Sequence, residues 1–199
     1  MNKPNGDGVW YRHMKRLIAI VGPTATGKSR LALYLAQDLN GEIINADSRQ
    51  VCRHIDIGTA KPSQPERALV PHHLIDVVNP DEDFSLSQYQ ELANRAINDI
   101  QQCGKLPLLV GGSGLYVWAV LEGWMIPQVA PDPEFRYNLW ARASRGKTVS
   151  LYQELVQIDP IAARKIDPRN VQRVIRALEV SHHAGIPFSE LQRKKDSSS

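Results

Sequence analysis

The chain has 199 residues and a formal net charge of +3, from 24 Lys and Arg against 21 Asp and Glu. Apolar residues make up 42% of it, as in ordinary soluble domains, and no apolar stretch is long enough to cross a bilayer, which excludes an integral membrane protein. The two cysteines, Cys52 and Cys103, lack metal-ligand spacing, so we expect no disulfide framework and no zinc site, and a location in the reducing cytoplasm.

The first predicted elements are a strand, a glycine-rich turn and a helix, in that order. Residues 17–21 form a short apolar run that is typical of a strand buried on both faces. Good helix formers follow from residue 31 and end near Asn40 and Gly41. Between them lies G-P-T-A-T-G-K-S, which fits the phosphate-loop pattern G-x-x-x-x-G-K-[ST]. We therefore expect the chain to bind a pyrophosphate or polyphosphate.

The chemistry of this loop follows from its residue types. Backbone N–H groups and the positive end of the helix dipole converge on an anion at such a turn. Lys28 would add a cation for the outer phosphate oxygens, and the Ser29 hydroxyl would hold a Mg²⁺ ion that bridges them. The predicted phosphate-binding residues are Gly22, Pro23, Thr24, Ala25, Thr26, Gly27, Lys28 and Ser29.

Further strands and helices alternate as far as residue 122. The predicted strands are residues 42–45, 73–78 and 106–110, and the predicted helices are residues 85–103 and 115–122. Ser85 begins the longer helix with capping-box spacing, and Gly104 ends it. This alternation predicts an α/β fold, a P-loop NTPase-like parallel sheet with helices on both faces.

Polar residues follow several strands at the edge of the sheet where α/β proteins bind ligands. Asp47 follows the second strand, where it would serve as a base or metal-shell carboxylate, or as a helix cap. Ser113 would orient Asp47 or cap the next helix. The strand 106–110 ends in glycine, where many NTPases carry a metal-shell Asp, and Asp76 is a weak substitute. The absence of a metal-shell Asp at the end of this strand counts against ATP hydrolysis as the function.

Strand signals stop after residue 123. Prolines mark a linker, and helices are predicted over residues 133–145, 149–157, 160–166 and 169–184. In the last of these, Val171, Val174, Ile175 and Leu178 recur at helical spacing and predict a buried stripe. Another face carries Arg169, Gln172, Arg173 and Arg176. Residues 136–199 hold twelve Lys and Arg against six Asp and Glu, so this face is either a nucleic-acid contact or a solvated basic surface.

These boundaries predict four segments. Residues 1–16 are polar, do not have the pattern of a secretory signal, and are expected to be a disordered extension. Residues 17–125 are expected to form the α/β core, residues 126–192 a helical insertion whose basic face would contact RNA or solvent, and residues 193–199 a disordered tail.

Six stretches together resemble the tRNA dimethylallyltransferases, also called isopentenyl-diphosphate:tRNA transferases. They are GPTATGKS (22–29), DSRQV (47–51), DIGTAKP (56–62), PHHLID (71–76), LLVGGSGLY (108–116) and RVIRALE (173–179). The phosphate loop alone is shared by many kinases, whereas the ordered set is specific. The similarity covers residues 17–191, nearly the whole chain.

The resemblance implies transfer of a dimethylallyl group from dimethylallyl diphosphate to N6 of the adenosine 3′ of the anticodon, in tRNAs that read codons beginning with U. It implies that the loop holds the diphosphate leaving group with Mg²⁺, that Asp47 is the general base, and that Ser113 anchors Asp47 by a hydrogen bond. Lys28, Asp47 and Ser113 are therefore the expected catalytic residues, in a cytoplasmic monomer. The implied tRNA-binding residues are Asp47, Ser48, Arg49, Gln50, Gln172, Arg173, Val174, Ile175 and Arg176.

The chain departs from the family pattern in three ways. Position 52 is Cys where the family usually has Tyr, and position 113 is Ser where it usually has Thr. Family members are about half as long again, so we expect a C-terminally truncated member with an exposed sheet edge and weak or absent activity. Two other functions stay open: a P-loop kinase of small molecules or nucleotides, which would bind ATP, and a non-catalytic tRNA-binding fragment.

Overall fold

The computed structural model describes residues 16–56 and 58–193. The described residues up to Trp124 form one compact unit, here called the α/β unit, and those from Met125 onward form a second, the helical unit. The predicted segments 1–16 and 193–199 lie outside the described residues, apart from Arg16 and Arg193. No helix among the described residues is long and apolar enough to span a membrane.

The α/β unit is built on a parallel sheet. Its strands are β1 (Ile18–Val21), β2 (Gly41–Asn45), β3 (His72–His73) and β4 (Leu106–Gly111), in the order β1-β4-β2-β3. Its helices are α1 (Lys28–Asp38), α2 (Gln64–Leu69), α3 (Leu86–Gln102) and α4 (Gly114–Leu121). Strands and helices alternate as the sequence predicts, and the fold class is confirmed.

Helices cover both faces of this sheet because side chains alternate along each strand. On one face Ala32 and Ala36 of α1 pack with Ile43 and Leu108. On the other face Ile44 and Leu109 pack with residues of α3 and α4, including Tyr89 and Val117. Ser85 begins α3 with the predicted capping box, and Gly104 follows the helix at φ 71°.

Two predictions about the strands are wrong. β1 is only half-buried, and Val21 is 51% exposed, because among the described residues β1 pairs with β4 alone and lies at an edge of the sheet. Of the predicted strand 73–78 only His73 lies in a strand, since β3 is His72–His73, and one isolated bridge joins Cys52 and Val78. Leu74 and Asp76 have φ values of 62° and 57°, which lie outside the β region and end the strand.

The helical unit contains no strand among its described residues. Its helices are α5 (Pro133–Arg142), α6 (Thr148–Ile158), α7 (Pro160–Lys165), α8 (Val171–Ala184) and α9 (Phe188–Arg193). α5 is shorter than predicted because the chain turns through Gly146, at φ 77°, before α6. Asp159 caps α7, and Gly185 ends α8. The sequence interpretation missed α9, and also α2, although Ser63 and Glu66 form a capping box there.

The core of the helical unit is centred on α8. Val174, Ile175 and Leu178 are each 2% exposed and pack against Leu151 and Leu155 of α6. Val171 lies at the margin of this cluster. The predicted buried stripe is therefore confirmed, and its burial supplies the hydrophobic stabilisation of the unit.

Candidate active site

Residues 22–27 form the turn between β1 and α1, and Lys28 and Ser29 are the first two residues of α1. Gly27, at φ 81°, stands at the N-cap of α1, and Ala25 also has a positive φ of 66°. The first N–H groups of a helix have no partners within the helix, so those of α1 are directed at the space over this turn. Thr26 Oγ1 donates a hydrogen bond to the carbonyl oxygen of Pro23, 2.9 Å away, and Lys28 Nζ donates to the same oxygen. The turn is therefore closed by its own hydrogen bonds, and the ammonium group of Lys28 is bound to the Pro23 carbonyl.

Asp47 follows β2 in a tight turn. Its carboxylate oxygen Oδ1 accepts a hydrogen bond from the Arg49 N–H at 2.9 Å, and its carbonyl accepts one from the Gln50 N–H at 3.1 Å. No hydrogen bond to the second oxygen, Oδ2, is found among the described residues. Asp47 therefore caps its own turn with one oxygen and leaves the other for a ligand, so both of its predicted roles are compatible with the geometry.

Ser113 contacts Ser48 rather than Asp47. Its Oγ accepts a hydrogen bond from the Ser48 N–H at 2.8 Å and donates one to Ser48 Oγ at 3.1 Å. Ser113 is the N-cap of α4, yet its side chain makes no capping hydrogen bond. The predicted bond from Ser113 to Asp47 is wrong, and so is the capping alternative. Ser113 fixes the residue after Asp47, because the β4–α4 turn lies directly beside the turn after β2.

A cleft joins the phosphate loop to Asp47. With the solvent at its mouth it encloses about 600 Å³. Its polar wall contains Thr24, Lys28, Ser29, Asn45, Asp47 and Gln50, and its apolar wall contains Ile43, Pro62, Ile75 and Val110. His72 also lines the cleft; burial lowers its pKa, so the ring is neutral at neutral pH. The cleft therefore offers an anion site and an uncharged apolar surface side by side.

The glycines after β4 explain the absence of an acidic residue there. A side chain at Gly111 would collide with the backbone of Ala46. A Cβ on Gly112 would lie 3.0 Å from the carbonyl oxygen of Gly22, so the backbone of the phosphate loop passes close by. These close approaches leave no room for a metal-shell carboxylate at the end of β4.

Asp76 does not replace that carboxylate. Lys61 Nζ lies 2.7 Å from its Oδ1, and Arg67 lies 2.8 Å from its Oδ2. Burial acts to raise the pKa of Asp76, but the hydrogen bonds from Lys61 and Arg67 outweigh it and lower the pKa. Both carboxylate oxygens of Asp76 are therefore bound by side-chain cations. The prediction that Asp76 is a weak substitute for the missing metal-shell Asp is wrong.

Thr59, Ala60 and Pro62 form one wall of the cleft, and two side chains tie this wall down. Gln50 Nε2 donates to the Thr59 and Ala60 carbonyls, at 2.9 and 3.3 Å. The side chain of Lys61 is 4% exposed and bonds the Cys52 carbonyl, Asp56 and Asp76. The amide of Gln50 is therefore occupied by this wall, while Ser48 and Arg49 remain exposed. Cys52 is a half-buried free thiol.

The predicted basic face of α8 is only partly on the surface. Gln172 and Arg173 are exposed, whereas Val174 and Ile175 lie in the core. Their side chains therefore cannot contact RNA, and these two assignments are corrected to core packing.

Arg176 is bound within the helical unit. It contacts Glu179 Oε2 at 2.6 Å and donates to the Val129 carbonyl at 2.9 Å. Arg169 pairs with Asp167 at 2.7 Å. Of the four residues predicted for a basic face, Gln172 and Arg173 are the two whose side chains are exposed and have no side-chain partner among the described residues.

Glu179 is the main polar residue that the sequence interpretation missed in the helical unit. Its side chain is fully buried and accepts hydrogen bonds from Arg136, Arg176 and the Asp132 N–H. Burial raises its pKa and these bonds lower it; the net direction is downward. Its position four residues after Ile175, in phase with the apolar stripe, was the available signal.

Asn45 and Tyr89 were missed in the α/β unit. Asn45 is 3% exposed at the end of β2, and the Tyr89 hydroxyl donates to its carbonyl at 3.0 Å. Tyr89 stacks on Tyr116, with ring centroids 3.8 Å apart. A polar residue at the end of an apolar strand, two positions before Asp47, was the signal for Asn45.

Comparisons with known proteins agree with this geometry. The IPP transferase family model matches residues 50–199, and an isopentenyl transferase model matches residues 15–75. A tRNA dimethylallyltransferase from Roseiflexus castenholzii is 61% identical over 174 residues, covering 87% of this chain and 57% of that protein. One from Herpetosiphon aurantiacus is 58% identical over 178 residues, covering 89% and 56%. The chain therefore spans little more than half the length of these relatives.

Solved structures give the same result. A tRNA isopentenylpyrophosphate transferase from Bacillus halodurans superposes with a TM-score of 0.56 at 46% identity, over 87% of this chain and 57% of that one. A eukaryotic dimethylallyltransferase that acts on tRNA superposes with a TM-score of 0.71 at 30% identity, over 90% of this chain and 44% of that one. With three quarters of its residues matched by the family model, the chain belongs to the IPP transferase family.

Proposed function

We propose that this chain transfers a dimethylallyl group from dimethylallyl diphosphate to N6 of the adenosine 3′ of the anticodon in tRNA. The observation that carries the proposal is the cleft whose lining brings Lys28, Ser29 and Asp47 together with an apolar wall. An anion site beside an uncharged apolar surface suits an isoprenoid diphosphate, and the carboxylate suits a nucleophile that must lose a proton. The names of the related proteins support the same reaction.

The phosphate loop would hold the diphosphate. As the allylic C–O bond breaks, its electron pair leaves with the diphosphate, and negative charge grows on that group. The N–H groups at the start of α1 stabilise this charge without reorganisation. Lys28 exchanges its bond to the Pro23 carbonyl for a diphosphate oxygen. The absence of room for an acidic residue after β4 is compatible with this role, because no water has to be aimed at a phosphate.

The residues at the loop fit a Mg²⁺ ion that is held mainly by its substrate. Ser29 is exposed at the start of α1, and within the described residues no cluster of three His, Cys, Asp or Glu could hold a metal alone. Mg²⁺ usually takes one or two protein ligands and completes its shell with phosphate oxygens and water. When bound, it would neutralise charge on the diphosphate.

Asp47 would take the proton from the adenine N6 amine. As N6 forms its bond to the allylic carbon, the proton passes to Asp47 Oδ2, the oxygen that does not cap the turn. The base must leave its stack to reach the cleft. Ser48 and Arg49 border Asp47 and are exposed, and Gln172 and Arg173 are exposed on α8, so these four are our candidates for RNA contacts. We also propose a cytoplasmic monomer, since tRNA is the acceptor.

Single-turnover prenyl transfer to an anticodon stem-loop, with the chain in excess over RNA, tests the proposal. We expect prenylated RNA to form slowly with the wild type, in line with the weak activity expected from the sequence, and a further loss of at least about 100-fold in Asp47→Asn, because general-base catalysis contributes that much. Asp38→Asn, an exposed carboxylate at the end of α1, is the matched control and should retain activity. Absence of product from the wild type, or ATP-dependent phosphorylation of a small acceptor instead, would overturn the proposal.

A further inference from the structure

We propose that Asn45 is the positioning residue that sets the direction of the Asp47 carboxylate. This inference rests on the proposed role of Asp47 as the base. Asn45 is the last residue of β2, and its side chain reaches forward to the turn that carries Asp47. It lines the same cleft, but its polar atoms bond the protein, so it acts through Asp47.

The side-chain amide of Asn45 forms hydrogen bonds with both backbone polar groups of Asp47, and we call this pair of bonds the grip. Asn45 Oδ1 accepts a hydrogen bond from the Asp47 N–H at 3.0 Å, and Asn45 Nδ2 donates one to the Asp47 carbonyl at 3.1 Å. The peptide groups on both sides of the Asp47 Cα are thereby held. Because those two groups determine where Cβ points, the grip fixes the carboxylate relative to the phosphate loop.

The second N–H of the amide links this grip to a distant segment. Asn45 Nδ2 also donates to the Leu74 carbonyl at 3.0 Å. Leu74 has a φ of 62°, a conformation that costs a residue with a branched side chain free energy. Ile75, the next residue, belongs to the apolar wall of the cleft. Asn45 therefore links Asp47, the proposed general base, to the segment of the apolar wall that contains Ile75.

The backbone that carries the Asn45 side chain is itself rigid. Asn45 is 3% exposed, and its carbonyl accepts a hydrogen bond from the Tyr89 hydroxyl at 3.0 Å. Its neighbour Ala46 pairs with Val110 of β4 through a backbone hydrogen bond of 2.7 Å. A side chain mounted on such a fixed backbone keeps a buried partner within small angular limits.

Asparagine alone meets these three bonds at this length. An Asp side chain at position 45 would aim an acceptor at two carbonyl oxygens, those of Asp47 and Leu74. A Gln would carry the amide one methylene too far, and an apolar residue would leave buried backbone groups of the turn without partners. The need for Asn at position 45 therefore comes from these hydrogen bonds and not from packing within the strand.

The test compares Asn45→Asp with Gln90→Glu. Gln90 also uses one amide to donate to two backbone carbonyls, those of Ala119 and Trp124, but at the far end of α4. Both variants exchange an amide for a carboxylic acid in the α/β unit. We expect kcat for prenyl transfer to fall about 10- to 100-fold in Asn45→Asp, with KM for both substrates unchanged, because small displacements of a catalytic group have effects of this size. Gln90→Glu should lose thermal stability and keep its kcat.

Amide hydrogen exchange gives a readout that does not depend on activity. In the wild type the Asp47 N–H should exchange as slowly as strand amides, although it lies in a turn, and in Asn45→Asp the Asp47 and Arg49 N–H groups should exchange faster. Binding of inorganic pyrophosphate should be the same in all three proteins. Fast exchange at Asp47 in the wild type, or equal kcat losses in the two variants, would overturn the inference. If the wild type transfers no prenyl group, the proposed function fails, and exchange at Asp47 still decides the grip.

Discussion

The α/β unit and the helical unit use buried polar groups differently. Around the cleft, neutral side chains such as Asn45 and Ser113 bond the backbone, while the charged Lys28 and Asp47 stay at the cleft surface. In the helical unit the buried polar groups include two carboxylates, those of Glu179 and Asp159, as well as the hydroxyl groups of Ser181 and Ser189. Neutral bonds can hold a site in place without altering the charge that a ligand meets, whereas buried ions are saturated by their own partners.

This difference separates structural charges from candidate functional ones. Lys61 in the α/β unit has a buried side chain that pairs with exposed Asp56 and half-buried Asp76, so it belongs with the carboxylates of the helical unit as a structural ion. Arg176 belongs there too, since Glu179 and the Val129 carbonyl bind it. Arg173, three residues earlier, has an exposed side chain. The charges available to a ligand are therefore fewer than the composition implies.

The largest expected effect is that of Glu179→Ala. Removing this carboxylate leaves Arg136 and Arg176 beside a buried void, so we expect the free energy of unfolding to fall by about 3 to 5 kcal/mol. Urea denaturation followed by circular dichroism measures it. Glu154→Ala is the matched control; its pair with Arg142 is more than a third exposed on both sides and should be worth less than about 1 kcal/mol. Equal losses would contradict the distinction.

Gly111→Ala tests the close approach of backbones behind the cleft. The added methyl group would meet the Ala46 backbone, so we expect a loss of about 1 to 3 kcal/mol in the free energy of unfolding. Gly114→Ala is the control, because a Cβ there meets nothing within 4 Å. Chemical denaturation of both variants makes the comparison. If Gly111→Ala leaves the free energy of unfolding unchanged, β4 and the turn after β2 are not in contact.

The pH dependence of stability should follow the buried carboxylates. The folded-state pKa values of Glu179 and Asp159 lie below the ordinary values of 4.5 and 3.8, despite burial, because hydrogen bonds favour the ionised forms. Their stabilisation is therefore complete above those ordinary values and is lost as the pH falls through the lower folded values. Urea midpoints should fall more steeply below pH 4.5 in the wild type than in Glu179→Gln. Parallel curves would refute the assignment.

The smallest expected effects distinguish two neighbouring arginines. Arg173→Ala should weaken binding of an anticodon stem-loop a few-fold and reduce the salt slope by about 1, with little change in Tm, because one phosphate contact is lost. Arg176→Ala should lower Tm, because it removes a partner of buried Glu179. Fluorescence titration at several salt concentrations and thermal denaturation measure both. The reverse pattern would place the RNA face at Arg176.

Local sequence was enough to predict most elements. The strand–turn–helix order around residues 22–29, the cap at Ser85 and the helix end at Gly104 were predicted correctly. Each of these signals lies within a few residues of the structure it specifies, since caps and turns are made by near neighbours. The proximity of Asp47 to the phosphate loop also followed, because the carboxyl ends of parallel strands meet at one edge.

Other features required the tertiary structure because their partners are far apart in the chain. Ser113 and Ser48 are 65 residues apart, Glu179 and Arg136 are 43 apart, and Asn45 and Leu74 are 29 apart. A sequence shows that such residues are polar, but only folding decides which polar groups they meet and how much water they lose. The sequence by itself therefore determined the order of elements and the chemistry of the phosphate loop, and the tertiary structure decided which charges are structural and which face the cleft.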